Sequence, residues 1–224
     1  MTKRELIFTV LEKLNIHSDD SRLSEELVSF LIDNKRAMLL KQQYAKNAWH
    51  MPIEIKQELC LDLELVDKVE GYSCAGKILS TKLSLPNSIK IKGKEGPLAV
   101  RKMDGSVVPM SIVAIERVPY LFENKYTQHL NYCAVDFSGK LYVISKDSKI
   151  RFLKSIKVTD IFESPDEAIS LQCSSNASIE NWDNQYPIES AMADVAIDLV
   201  VKELTRSLGI PGDNLNDASD DRKG

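Results

Sequence analysis

The chain changes character at Gln57-Glu58-Leu59-Cys60-Leu61-Asp62-Leu63-Glu64-Leu65-Val66. Leucine recurs here at every second position, and the residues between are mostly polar or charged. Because successive side chains of a strand point to opposite faces, this period predicts a half-buried β-strand. A β-rich region therefore begins near residue 59.

Residues 71–162 continue as short runs rich in Ile, Val, Tyr and Phe, separated by turn signals. Asp104-Gly105 and Ser138-Gly139 are typical of hairpin tips. The second is expected to join a strand at 133–137 to one at 140–145. No helical pattern of useful length intervenes, so the region is predicted to be an antiparallel meander or small barrel.

Three helices are predicted before this region, and the third is short. Thr2 and Glu5 have the spacing of a capping box, and apolar residues then recur at helical intervals. Ser24 is the expected cap of the second helix. The expected apolar face of that helix consists of Leu27, Phe30, Leu31, Met38 and Tyr44. Pro52 has the position of the first residue of a third, short helix, where its missing N–H costs nothing.

Two more helices are predicted after the β-rich region. Ser164-Pro165-Asp166-Glu167 combines a cap, a first-turn proline and an acidic third position. A longer helix is expected from 187 to 208, ending at Gly209. The residues of this helix expected to contact the N-terminal helices or another subunit are Met192, Val195, Leu199 and Leu204. The polar tail after Gly209 is expected to be mobile.

These elements predict an α+β fold in which helices lie at both ends of the chain and strands lie between them. The simplest arrangement is a helical bundle formed by the N- and C-terminal helices, with an inserted antiparallel β-rich lobe. The predicted divisions are 1–58 for the N-terminal helices, 59–163 for the β lobe, 164–209 for the C-terminal helices and 210–224 for the tail. An apolar stripe on the last helix then needs a partner within the subunit or in another copy.

Charge is distributed unevenly along the chain. Residues 1–70 carry a net −3, residues 71–158 a net +9 and residues 159–224 a net −10, within a total of −4. A basic middle and an acidic end can neutralise each other within one subunit or between neighbouring subunits, or the basic part can face an external polyanion. The sequence leaves these three possibilities open.

The basic residues form two groups in sequence. The first group is Lys90, Lys92, Lys94, Arg101 and Lys102, and the second is Lys146, Lys149, Arg151, Lys154 and Lys157. Lys90 and Lys92 alternate with isoleucines, so they are expected to share one solvent face of a strand. A solvated sheet surface is the simplest interpretation. The functional interpretations are a nucleic-acid surface and an intersubunit contact.

Patterns typical of catalysis and of metal binding are weak. Gly93 and Gly96 lack the spacing of a phosphate-binding loop. The three histidines and four cysteines match no zinc pattern, and Cys60 with His50 and Asp62 forms only a chance candidate for a nucleophile and base. We therefore expect no enzyme activity, no cofactor and no metal, and we expect reduced, structural cysteines. Neither a signal peptide nor a spanning segment is indicated, so a soluble protein with no membrane partner is expected.

Three stretches of the chain carry a resemblance to a known family: 35–60, which contains Lys35-Arg36-Ala37-Met38-Leu39-Leu40, the segment Asp160–Ala168, and Tyr186-Pro187. A fourth is Gly212–Ala218 in the tail. Together they resemble the head-to-tail connector ring proteins of tailed bacteriophages, and among these the neck ring proteins of crAss-like podoviruses. The matching motifs are structural and span most of the chain.

The resemblance implies a virion structural protein at the joint between neck and tail, made in the host cytoplasm before assembly. It further implies a ring of about twelve copies beneath the portal, around a channel for the genome. The implied partners are other copies, the portal protein, neighbouring tail rings and passing DNA. The residues that would dock on the portal are Asp213, Asn214, Leu215, Asn216 and Asp217. The alternative function is a nucleic-acid-binding module that uses the basic β lobe.

Overall fold

A computed structural model describes residues 1–14, 23–44, 51–69, 77–90, 96–103, 108–123, 125–173 and 181–208. The helices in this part of the chain are α1 (Lys3–Lys13), α2 (Glu25–Tyr44), α3 (Pro165–Ile169) and α4 (Ser190–Leu208). The strands are β1 (Gln57–Val66), β2 (Lys77–Thr81), β3 (Ala99–Lys102), β4 (Ser111–Ile112), β5 (Tyr132–Val135), β6 (Leu141–Ser145) and β7 (Ser155–Asp160).

Local capping signals set the helix starts. The Thr2 hydroxyl accepts from the Glu5 N–H at 3.2 Å, and the Glu5 carboxylate accepts from the Thr2 N–H at 2.9 Å, which confirms the capping box. Ser24 accepts from the N–H of Leu27 at 3.2 Å and caps α2 as predicted. Pro52 instead precedes a single 3₁₀ turn, Ile53–Ile55, and no α-helix forms there.

The predicted apolar face of α2 is wrong. Leu27, Phe30 and Met38 are exposed, and of the predicted set only Tyr44 is fully buried. The buried side chains of α2 follow a different stripe and are Val28, Ile32, Arg36, Ala37, Leu40 and Tyr44. The helix turns this stripe inward because Arg36, at its centre, finds hydrogen-bond acceptors inside the protein.

Helices α1, α2 and α4 pack against one another around one hydrophobic cluster. Buried members include Leu6 and Val10 of α1, Ile32 of α2, and Ala196 and Val200 of α4. Ile89 and Ile161, on either side of the bridge between Ser88 and Phe162, also belong to it. The two ends of the chain therefore share a core, and that core continues into the β region.

The seven strands form one sheet in the order β3-β7-β1-β2-β6-β5-β4. Its two ends meet, because the Met110 N–H just before β4 donates to the Val100 carbonyl of β3 at 2.8 Å. Strand pairs are antiparallel except for β4 with β5, which is parallel over two residue pairs. The expectation of a purely antiparallel region is corrected there. The long connection from β4 to β5 crosses one face of the sheet, and this crossover lets the two strands run the same way.

Strand β1 is the third of the seven strands and lies between β7 and β2. Leu59, Leu61 and Leu63 are buried, as their period predicts, while Leu65 is 60% exposed because the strand extends past the core. Residues 57–62 pair with β7 and residues 63–66 pair with β2. One strand therefore connects both halves of the sheet.

The hairpin at Ser138-Gly139 is confirmed, and it joins β5 to β6. Asp136 holds the turn, because its carboxylate accepts from the N–H groups of Ser138 and Lys140 at 2.9 Å each. Gly139 has a φ of +80°, a conformation that favours glycine. Asp104-Gly105 lies outside the described residues.

The predicted reduced state of the cysteines is wrong for one pair. Cys60 of β1 and Cys173 form a disulfide, although 113 residues separate them in sequence. The pair is brought together because the Cys60 N–H donates to the Leu171 carbonyl at 2.9 Å, which places 171–173 beside β1. Cys133 is a buried free thiol, and burial raises its pKa.

Replacing Cys60 with serine should lower the free energy of unfolding by about 3–4 kcal/mol, since the crosslink limits the unfolded chain over a long loop. Guanidinium denaturation without reductant would measure this. With reductant present, the difference between wild type and variant should vanish. Peptide mapping that finds both thiols free in the unreduced wild-type protein would refute the crosslink.

Candidate functional site

Charged side chains from several distant segments meet between the helices and the sheet. The Lys3 ammonium of α1 contacts the Asp33 carboxylate of α2 at 2.9 Å and the Asp166 carboxylate of α3 at 2.6 Å. The Tyr186 hydroxyl donates to the other oxygen of Asp33 at 2.6 Å. We call these four residues and Arg36 the anchor cluster.

Arg36 is the most deeply buried member of the anchor cluster. Its side chain is 0% exposed, and its Nε donates to the Pro187 carbonyl at 2.7 Å. One terminal nitrogen donates to the Phe162 carbonyl at 2.8 Å, and the guanidinium carbon lies 5.6 Å from the centre of the Tyr186 ring. A buried guanidinium is tolerated only with such partners, so Arg36 fixes the positions of two remote backbone segments.

Burial governs the titration of the anchor cluster. It raises the pKa of the Asp33 carboxyl, an effect that the nearby Lys3 ammonium partly opposes. It lowers the pKa of the Arg36 guanidinium and raises that of Tyr186 well above its usual value. Tyr186 therefore stays a neutral hydrogen-bond donor beside Asp33, and the arrangement joins structural elements.

The acidic end of the chain is bound to the N-terminal helices. Besides Lys3 with Asp166, Arg4 pairs with Asp183 at 2.6 Å, and Lys13 with Asp198 at 2.7 Å. Lys35–Glu203 and Lys41–Glu163 are further pairs between the same parts of the chain. Of the three possibilities left open by the sequence, neutralisation within the subunit holds for these acidic residues, but their partners are the N-terminal helices and not the basic middle.

The residues expected at a ring interface or bundle contact divide into two groups. Met192 and Leu204 are buried in the cluster between the helices, and Leu199 is half-buried. Val195 is 47% exposed on the outer side of α4. On α2, Phe30 is 61% exposed. These exposed apolar side chains lie on helices whose inner faces pack within the subunit.

The first basic group is only partly brought together. Lys90 is exposed beside the bridge that joins Ser88 to Phe162. Arg101 is exposed and Lys102 half-buried on β3, where Arg101 is opposite Lys157 of β7. Lys92, Lys94 and the tail residues expected to dock on the portal (Asp213, Asn214, Leu215, Asn216 and Asp217) lie outside the described residues.

The groups considered for chemistry have other roles. Cys60 is bonded to Cys173, so it supplies no free thiolate, and His50 lies outside the described residues. Among the described residues, no three or more His, Cys, Asp or Glu side chains are grouped as a metal site requires. A groove of about 880 Å³ runs beside the β5–β6 hairpin. Of its three carboxylates, Asp136 holds the hairpin turn, Glu163 pairs with Lys41 and Glu116 is exposed.

The described helices include none that is both long and apolar enough to cross a membrane.

Three of the four stretches that carry the family resemblance meet in the anchor cluster. Arg36 lies in the first, Phe162 and Asp166 in the second, and Tyr186-Pro187 is the third. A family model described as phage tail ring protein 2 matches residues 5–222. The chain belongs to this family. Ring protein 2 of Bacteroides phage crAss001 is 34% identical over 224 residues, covering 99% of this chain and 98% of that protein.

As a tail ring protein, the chain is a structural component of the phage virion that assembles into an oligomer. This confirms the resemblance to crAss-like ring proteins inferred from the sequence motifs. The sequence motifs pointed to the correct family, but their spatial convergence was not predicted. Lys3 directly follows Thr2, the cap of α1, yet nothing in the sequence pattern predicts that the Lys3 side chain is buried.

Replacing Arg36 with methionine should lower the free energy of unfolding by about 2–4 kcal/mol, because two carbonyls lose a buried, charged donor. Replacing Arg4, which pairs with Asp183 near the surface, should cost about 0–1 kcal/mol. The Arg4 variant is the control for the loss of an arginine side chain as such. Equal denaturation curves for the two variants would contradict the anchoring role of Arg36.

Proposed function

We propose that this tail ring protein is a connector that joins the portal to the tail rings below it. About twelve copies would form a closed ring around the channel through which the genome passes. Its role is mechanical, and we assign it no reaction. The observation that carries this proposal is the match of nearly the whole chain to the ring protein family.

We infer that α1, α2 and α4 form a helical bundle that carries the ring contacts, with the β lobe inserted between α2 and α4 in the chain. Met192 and Leu204 belong to the core of the subunit. The outer sides of α2 and α4 supply contacts through Phe30 and Val195, which are exposed in the single subunit. A closed ring needs such surfaces because each copy contacts its neighbours through two different faces.

Replacing both Phe30 and Val195 with glutamate should raise the concentration needed for ring formation more than tenfold, since exposed apolar contacts would be exchanged for charges. Mass photometry across a concentration series would measure ring mass. Replacing Leu83, which is 58% exposed in the β lobe, with glutamate is the matched control. If both proteins form rings alike, these helix faces are not the contact.

The tail after Gly209 is proposed as the arm that docks on the portal. Its polar, acidic composition suits a segment that orders only on a partner, where it exchanges conformational freedom for reach. Asp213, Asn214, Leu215, Asn216 and Asp217 are the residues assigned to that contact.

Deleting residues 210–224 should weaken binding to the portal protein at least tenfold, while the mass of the ring itself stays unchanged. Co-sedimentation with assembled portal would measure the first quantity and mass photometry the second. A variant with the same tail composition in scrambled order controls for charge. Full portal binding by the truncated ring would reject the docking arm.

A second candidate function, a nucleic-acid-binding module, is favoured by one observation. The C-terminal acidic residues Asp166, Asp183, Asp198 and Glu203 pair with the N-terminal helices, so they do not neutralise the basic β lobe. Under this candidate, Lys90, Lys92, Lys94, Arg101 and Lys102 contact DNA or the neighbouring subunit. The connector role and the nucleic-acid-binding role are compatible if the β lobe faces the channel of the ring.

A further inference from the structure

Residues 146–154, between β6 and β7, carry a second basic surface. Lys146, Lys149, Arg151 and Lys154 are exposed there, and Ile150 is buried among the sheet residues and anchors the segment. Among the described residues, none of these four cations forms an ion pair with a carboxylate. The only acidic residue of the segment, Asp147, accepts from the Lys149 N–H at 2.9 Å.

The backbone of this segment is held in place. The Lys154 carbonyl accepts from the Leu63 N–H of β1 at 2.8 Å, which joins the end of the segment to β1. The Arg151 Nε donates to the Ser148 carbonyl at 3.0 Å within the 3₁₀ helix Ser148–Phe152. The cations are therefore carried on a fixed support, which lowers the entropic cost of binding a partner.

A turn at Phe122 with a strained backbone contacts Lys146, the first residue of this segment. Phe122 has a φ of 76°, which is unusual for a residue with a bulky side chain, and its ring packs edge-on against Tyr132 at 5.5 Å. The Lys146 ammonium lies 5.4 Å from the centre of the Phe122 ring and 3.4 Å from its carbonyl oxygen. These contacts join the turn and the segment into one surface.

The chemistry of this surface favours a phosphate-bearing partner. Its cations include three lysines, a residue type that is depleted in protein–protein interfaces and common at phosphate contacts. Phe152 is 75% exposed, with the Arg151 guanidinium 5.9 Å from the centre of its ring. The cations are spread along a fixed segment, which suits the repeated charges of a nucleic-acid backbone better than a single small anion.

We propose that residues 146–154 bind the sugar–phosphate backbone of duplex DNA. This inference rests on the proposed function, in which the ring surrounds the path of the genome. It assigns the contact to residues other than Lys90, Arg101 and Lys102, although Lys102 of β3 is opposite Ile156 of β7, two residues from Lys154.

The test uses the full-length protein and a fluorescent duplex of mixed sequence, about 30 base pairs long, titrated at several salt concentrations. The variant K149Q/R151Q/K154Q removes three exposed charges. It should bind about 100-fold more weakly at about 0.1 M salt, and its salt slope should fall by about three, because each lost phosphate contact releases one counterion fewer.

The matched control is K90Q/R101Q/K102Q, which removes the same net charge from the other basic group. It should keep the wild-type salt slope to within about one unit. Equal losses in the two variants would overturn the proposal, because binding would then follow net charge alone. If the control loses affinity for the duplex and K149Q/R151Q/K154Q does not, DNA binds through Lys90, Arg101 and Lys102 and the proposal is wrong.

Mass photometry of the same proteins separates this inference from the proposed function. Wild-type protein that forms rings but does not bind duplex overturns the inference alone, whereas salt-dependent duplex binding by a permanent monomer overturns only the ring proposal. If K149Q/R151Q/K154Q binds DNA normally but no longer binds an acidic neighbouring ring protein, the surface contacts protein and the inference is wrong.

Discussion

A single buried guanidinium constrains the arrangement of this subunit. Arg36 cannot be solvated, so the fold must bring it hydrogen-bond acceptors, and these come from backbone segments 126 and 151 residues away along the chain. A packing of α2 that kept Arg36 buried but away from these carbonyls would leave a charge buried without partners. Lys3, Asp33, Asp166 and Tyr186 extend the same constraint to α1 and α3.

Ion pairs between the two ends of the chain neutralise much of the acidic C-terminal part. Carboxylates of the C-terminal part face the N-terminal helices, where they form ion pairs across element boundaries. The β lobe is tied to the same core through Ile89 and Ile161, and its lysines at 146, 149 and 154 are exposed. Ion pairs that involve the helices therefore hold the subunit together, and the β lobe presents a basic surface.

Sequence patterns predicted what depends on neighbouring residues. The capping box at Thr2, the period of β1 and the hairpin at Ser138-Gly139 are local signals, and the structure confirms each of them. The buried face of α2 was not predictable in this way, because both of its apolar stripes have helical spacing. The choice depends on carbonyls contributed by distant parts of the chain.

The residues considered for function were likewise only partly predictable from the sequence. The basic residues of the lobe were visible in the sequence, but the positive φ of Phe122, which joins one group of them to a strained turn, follows only from tertiary packing. The Cys60–Cys173 crosslink was missed for a similar reason, since the spacing of two cysteines says nothing about a strand that passes beside a remote loop.

Met1 and Thr2 contact the segment that leads into α4. Thr2 forms a bridge with Gln185, and the N–H of Tyr186 donates to the Met1 carbonyl at 3.0 Å. During synthesis, the earliest helices must wait for α4 to leave the ribosome before their common core can close, which is a topology of high contact order. A prematurely terminated polypeptide would lack that closure. The helical core can therefore close only after α4 has been synthesised.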